Sequence, residues 1–386
     1  MNCGTNCRQQ TPPAPSDACK RQRYRQKSIS TRAPSPGYCL GVERNHAIKN
    51  TLLILAFMAT SSIAWSQAPF VSSCAEDAEI EAAKRQAVDN SAIRFLQTLF
   101  SPDPSAAFDG LSTERRQITN RDEVSALARN VIQQFFTDEH DARIGDLKDA
   151  RIQKTYLISL KGKSPGSLVC ASNLSKPDGW VSVAASDAPE QAHVLISVPA
   201  RNNEITFTFW LVPEQNLWKV QSFWTSVSTL ADKDALQIWQ LARAQVAQGH
   251  AFNAALLLNA ASGLAQRGPD FQEGITQSIS KDISALALPA ELKGQPPLLW
   301  KSANNTWKVL SVSPTAVAGK IYVIIVHEVH PWQTDAQVDG WNKELLTWFK
   351  RRFPEYSGVF AGLVARARES GTNRGYGTVE APGTPK

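Results

Sequence analysis

The residues best suited to chemistry lie in "HEVHPW", His327 to Trp332, at the end of the apolar run "KIYVIIVHEV". Side chains of a strand alternate between faces, so Glu328 and His330 share one side and His327 takes the other. A carboxylate beside an imidazole suits proton transfer, or two positions of a metal site for which the sequence names no third ligand. The spacing departs from the zinc-protease motif, which needs two histidines four apart on a helix. Glu328, His330 and His327 are therefore the catalytic candidates of an enzyme reading. The plainer reading is a strand end whose polar groups meet solvent while Trp332 caps the core. No metal or cofactor is expected.

Other polar clusters fall short of a known chemistry. "TDEHDARIGD" around His140 lacks the alternating acids and glycine of a calcium loop. "KGKS" at Lys161 to Ser164 has Leu157 where a phosphate loop needs glycine, and its neighbours suggest a hairpin. No nucleophile elbow or dinucleotide fingerprint is present, and no Cys-x-x-Cys follows residue 66. Tryptophan is the remaining signal. Trp180, Trp210, Trp218 and Trp224 cluster in a strand-rich stretch. On a concave sheet they would line a pocket for an apolar ligand or a glycan; otherwise they fill the core between sheet and helix.

Periodicity marks the elements that must position these groups. Ile80, Ala83, Ala87, Ala92, Phe95, Leu96 and Leu99 recur at three and four, which predicts a helix. A second helix starts after Asn120, with Glu123 placed for a capping box, and turns Val124, Leu127, Ala128, Val131, Ile132 and Phe135 inward. Strands follow from Ile152: "IQKTYLISL", "SLVCAS", "WVSVAA", "AHVLISV", "ITFTFWLV" and "LWKVQSFW". Their short connections predict one antiparallel meander. Phe207, Phe209 and Leu211 share a face, as do Trp218, Val220 and Trp224. Helices before a curved sheet make an α+β cone.

Two stretches, "AIRFLQTLFSPDPSAAFDGLS" and "LVPEQNLWKV", carry a resemblance over roughly residues 78–228. This part resembles the nuclear-transport-factor-2-like (SnoaL-like) superfamily. The resemblance implies the cone fold but assigns no activity, because that superfold serves enzymes, ligand binders and accessory domains alike. The acids and histidines of its enzymatic members have no counterpart here. Residues 234–266, "ALQIWQLARAQVAQGHAFNAALLLNAASGLAQ" with its turn at Gly249, resemble one tetratricopeptide-type hairpin. No second copy follows, so a helical hairpin linking two domains is expected rather than a solenoid.

Beyond residue 290 a small α+β domain is expected. "PPLLWKSANNTWKVLSV" reads as a hairpin, and "KIYVIIVHEV" as a central strand covered on both faces. Two helices should follow, one lined by Val338, Trp341, Leu345 and Trp348. The second starts at Pro354 and is lined by Val359, Phe360, Leu363, Val364 and Ala367. "GYGTVE" reads as a returning strand and residues 381–386 as a tail.

Destination is written near the start. "RNHAIKNTLLILAFMATSSIAWSQAPF", residues 44–70, has Arg44 and Lys49 before an apolar block, then small residues suited to cleavage after Ser66. The block is short of the ~20 residues needed to span a bilayer. Residues 1–41 are then either a mis-assigned start or a disordered basic arm, and 42–66 the signal peptide. Of 41 Lys and Arg and 35 Asp and Glu, nine and two fall within 1–66, so the remainder carries a net charge of −1. Nucleic-acid binding loses its compositional support. Cys74 and Cys170 are the two cysteines of that remainder: a disulfide in an oxidising compartment, or two separate buried thiols. The expected layout is a cone domain over 67–230, helices over 231–290 and an α+β domain over 291–380. The expected role is that of a periplasmic or secreted binding or accessory protein. Its partner would be an envelope protein or a small apolar ligand, with no transmembrane span in the mature chain. "VSSC" at Val71 to Cys74 leaves a lipoprotein anchored through Cys74 as an alternative.

Overall fold

The computed structural model describes residues 71–135, 149–171, 173–200, 203–372 and 374–380. The expected leader, signal peptide, acidic turn around His140 and C-terminal tail lie outside these residues. β1 (Val71–Glu76) pairs antiparallel with β2 (Arg151–Lys161). β5 (Glu190–Ala200), β6 (Asn203–Glu214) and β7 (Leu217–Val227) extend this into a five-stranded sheet ordered β1-β2-β5-β6-β7. The expected single meander is not formed. β3 (Ser167–Ala171) and β4 (Trp180–Ala184) leave it and join the short β8 (Phe271–Glu273) in a second sheet.

Local chemistry explains the pairings. Gln215 and Asn216 both adopt positive φ, the tight turn that closes the β6–β7 hairpin with Glu214 opposite Leu217. A bulge opposite Trp210 and Leu211 then reverses the faces of β7. Trp218 and Val220 face the helices, but Phe223 takes the inner place expected for Trp224, which turns out and is 47% exposed.

The helix-bearing face of this sheet packs on α1 (Ala82–Leu99) and α3 (Arg121–Phe135), with the short α2 (Thr113–Gln117) between them. Asn120 caps α3 by accepting from the Glu123 backbone N–H at 2.9 Å. The buried line of α1 runs through Val88, Ala92, Phe95, Leu96 and Leu99; Ala83 and Ala87 are exposed because Val88 takes the inner position. Phe207, Phe209 and Leu211 are fully buried against it, and Phe95 meets Phe209 edge-on at 6.0 Å.

Three helices follow: α4 (Ala235–Ala247), α5 (Ala251–Leu264) and α6 (Gly274–Ala285). Gly249, at φ +77°, makes the turn between α4 and α5. The third sheet is ordered β13-β12-β11-β10-β9, from β9 (Leu298–Lys301), β10 (Thr306–Val317), β11 (Lys320–Val329), β12 (Leu363–Glu369) and β13 (Gly375–Glu380). α7 (Asp335–Arg352) crosses from β11 to its parallel neighbour β12. The second predicted helix here is a turn from Pro354 to Gly358 and then a strand. Leu363–Glu369 pair with β11 and β13, and Gly362 lets the chain enter closely: a Cβ there would lie 2.4 Å from the Tyr322 ring and 2.6 Å from the Glu380 carbonyl. β11 is central, yet its alternate residues from Ile321 to Val329 are buried while those between are only half-buried. One face is covered, not two. Phe252, Leu257, Ile279, Trp300, Ile325, Leu346 and Phe349 belong to a single core, so the helical hairpin packs on the C-terminal sheet. With helices on one side of largely antiparallel sheets, the described residues form an α+β protein.

Candidate functional site

Where the first sheet, the second sheet and the start of α4 meet, a cleft of about 480 Å³ opens. Its floor is Tyr156 of β2, Val181 of β4 and Arg267, all buried. Trp180 forms one wall and lies against Gly274, where a Cβ would sit 2.4 Å from the indole. Asp178, Glu204, Asp232, Asp234 and Glu273 bring five carboxylates to the lining against the single guanidinium of Arg267. Asp232 sits at the tip of a tight turn in which it and Ala231 both have positive φ, closed by backbone bonds between Leu230 and Lys233. Asp234 caps α4, accepting from the Gln237 N–H at 2.8 Å.

Arg267 is held from below. Its Nη1 donates to the carbonyls of Leu264 at 2.5 Å and Gln266 at 3.0 Å. Nε lies 3.1 Å from Glu273 Oε1, an ion pair by distance whose N–H is not aimed for a hydrogen bond. Burial raises the Glu273 carboxyl, and Arg267 opposes that shift. The Tyr156 phenol is pushed up by burial and then by Glu76, Glu273 and Asp77, so it stays protonated and able to donate. Lys154 approaches the Tyr156 ring at 5.8 Å, but its ammonium is already paired with Glu76 and Asp77, each at 3.0 Å. The cleft therefore offers negative charge and aromatic surface together.

Of the four tryptophans proposed for a ligand, only Trp180 borders this cleft. Trp210 donates to Gln191 at 3.0 Å and stacks on His193 at 5.6 Å. Trp218 packs against the helix-side core, and Trp224 covers Gly268. Phe95, Phe100, Phe207 and Phe209 pack together on the helix-bearing face of the first sheet.

The catalytic candidates are also dispersed. His327 is buried in the C-terminal core, its Nε2 2.6 Å from Asn342 Oδ1. The Asn342 amide donates to Thr378 Oγ1 at 3.0 Å, and that hydroxyl donates to Asp339 at 2.7 Å. Burial lowers the His327 pKa, partly offset by Asn342 and the Glu328 backbone. Glu328 points to the opposite face and lies 3.6 Å from Lys308, while His330 is exposed beyond the strand end. Among the described residues no group of three or more His, Cys, Asp or Glu is placed to hold a metal.

Cys74 and Cys170 form a disulfide with Cα atoms 5.6 Å apart, linking β1 to β3. No described helix is long and apolar enough to cross a membrane.

Sequence reasoning missed Arg267, Glu273 and the acidic rim, because each sits singly in an unremarkable segment. A basic residue within the apolar run-out of α5, followed closely by Glu273, was the one available signal. Compared with known proteins, the chain matches no family model, no curated protein and no solved structure.

Proposed function

We propose that this chain is an exported binding protein of the bacterial envelope, and that its cleft takes a ligand bearing a protonated amine or guanidinium. The supporting observation is the cleft itself: five carboxylates and one paired guanidinium in a lining shared with Tyr156 and Trp180. A cation there gains from carboxylates in a partly desolvated site and from the aromatic quadrupole. The packed cone interior speaks against the small apolar ligand. Export is supported by the signal-like segment before residue 67 and by the disulfide, a bond that persists in oxidising compartments. Helices preceding antiparallel strands over residues 78–228 support the nuclear-transport-factor-2-like reading, in a form with β3 and β4 diverted. The α4–α5 pair supports the single tetratricopeptide-like hairpin.

Calorimetry on the processed chain tests the ligand class, with spermidine and arginine amide as cationic probes and glutarate as an anionic control. The cations are expected to bind and glutarate not. Trp180→Ala should weaken spermidine at least tenfold, about 1.4 kcal/mol. Gly274→Ala should do the same without changing charge, by displacing the indole. Glutarate binding as well as spermidine, or spermidine binding indifferent to both substitutions, would sink the reading.

A further inference from the structure

Among the described residues no helix packs on one face of the C-terminal sheet. α5 and α7 pack on the side that carries Val323, Ile325, His327 and Ala365. Alternation along the strands puts Lys301, Lys308, Lys320, Arg366 and Arg368 on the other side, and all five are exposed. Glu328 is the one acid among them and is already beside Lys308. Among the described residues Arg366 and Arg368 have no ion pair. Opposite them on β13 stand Gly377 and Gly375; the Arg366 guanidinium lies along this strand, its Nε 3.5 Å from where a Cβ at Gly375 would be, so β13 offers low relief beside the cations. Ser311 and Ser313 continue that low relief on β10. Two apolar side chains project from the same face near opposite edges, Leu299 at 59% exposed and Val379 at 60%.

We propose that this face docks on an anionic lipid surface, its five cations meeting phosphate groups while Leu299 and Val379 enter the headgroup layer. Charge complementarity carries the assignment. Neighbouring strands lie about 4.8 Å apart, so the cations share one face of the sheet and can each meet the same charged plane. Side-chain composition favours a membrane over a protein. Cores of protein interfaces are enriched in aromatics and depleted of lysine, whereas here Tyr322 is the one aromatic and the tryptophans Trp300 and Trp307 point inward. The proposal is independent of the cleft and its ligand.

Sedimentation of the processed chain with phosphatidylglycerol/phosphatidylcholine vesicles tests it, with pure phosphatidylcholine as control. Each basic residue near an anionic surface contributes about fivefold to partitioning. Binding to the anionic vesicles alone is expected at about 20 mM salt, falling at least tenfold by about 300 mM. The exposed double reversal Arg366→Glu/Arg368→Glu should cut it at least about twentyfold with an unchanged melting temperature. Reversal of Arg94 and Arg129, exposed on α1 and α3, should leave it intact. Three results would overturn the proposal: equal binding to neutral vesicles, indifference to the β12 reversal, or no vesicle binding while polyglutamate or an oligonucleotide binds through the same arginines.

Discussion

Replacing Cys74 and Cys170 with serine is expected to cost the fold about 4–5 kcal/mol. The two residues are 96 apart in sequence, and a cross-link closing a loop of that size removes roughly 4.7 kcal/mol of chain entropy from the unfolded state. The bond also ties β1, an edge of the five-stranded sheet, to β3, an edge of the three-stranded one. Tyr156, Ile158, Leu160, Val183 and Phe271 pack between those sheets in a small core that gains most from the clamp. Urea denaturation of the chain from Gln67 onward, which keeps only these two cysteines, checks the effect. The midpoint should fall and the m-value rise, since the uncrosslinked unfolded chain exposes more surface. Dithiothreitol should reproduce the change in the wild type and do nothing further to the double variant. A variant as stable as the oxidised wild type would refute the prediction.

The second large effect is acid sensitivity through His193. The imidazole is fully buried in the same small core, stacked on Trp210, with Nε2 2.9 Å from the Ala184 carbonyl and Nδ1 unpartnered. Burial lowers its pKa from 6.5 to about 4, only partly opposed by the Ala184 bond and by Asp270. Above pH 6.5 both states are neutral and the group is silent. As pH falls from 6.5 towards 4 the unfolded chain takes up a proton that the native chain refuses, so stability is lost through that window and levels off below it. The full loss is roughly 3 kcal/mol. His327 acts in the same direction, while the raised carboxyls of Glu273 and Asp89 act in the opposite one. A comparison with His193→Phe isolates the residue, because the other groups are common to both proteins. The stability difference between wild type and variant should shift by roughly 3 kcal/mol between pH 7 and pH 4 in favour of the variant. A constant difference would place the imidazole elsewhere than in a dry site.

What the amino-acid pattern revealed follows from how locally each feature is encoded. The strands from Arg151 to Val227 were legible because apolar and polar residues alternate along them, and α3 because Asn120 supplies its cap. β12 was not. Val359, Phe360, Leu363, Val364 and Ala367 fit a helical period as well as a strand, and pairing with the distant β11 and β13 decides for the strand. The departure of β3 and β4 depends on β8, three residues lying about ninety positions downstream, a pairing no local window contains. The cleft is hidden for the same reason, since its lining runs from Gln153 to Ile275 in short pieces. Glu328 and His330 attracted attention because they are neighbours in the chain, yet Glu328 pairs with Lys308 across the sheet and His330 stands in solvent.

The common core of α4–α6 and the C-terminal sheet governs how the polypeptide can be divided. Severing it in the exposed segment around Gly294 leaves Phe252 and Leu257 on one piece without Phe349 and Phe353 on the other, with which Phe252 now stacks at 3.9 Å from the latter. The N-terminal piece keeps its own sheet-and-helix core, but each piece carries a water-exposed greasy flank. Co-expressed, the two halves should recombine; expressed singly, they should clump.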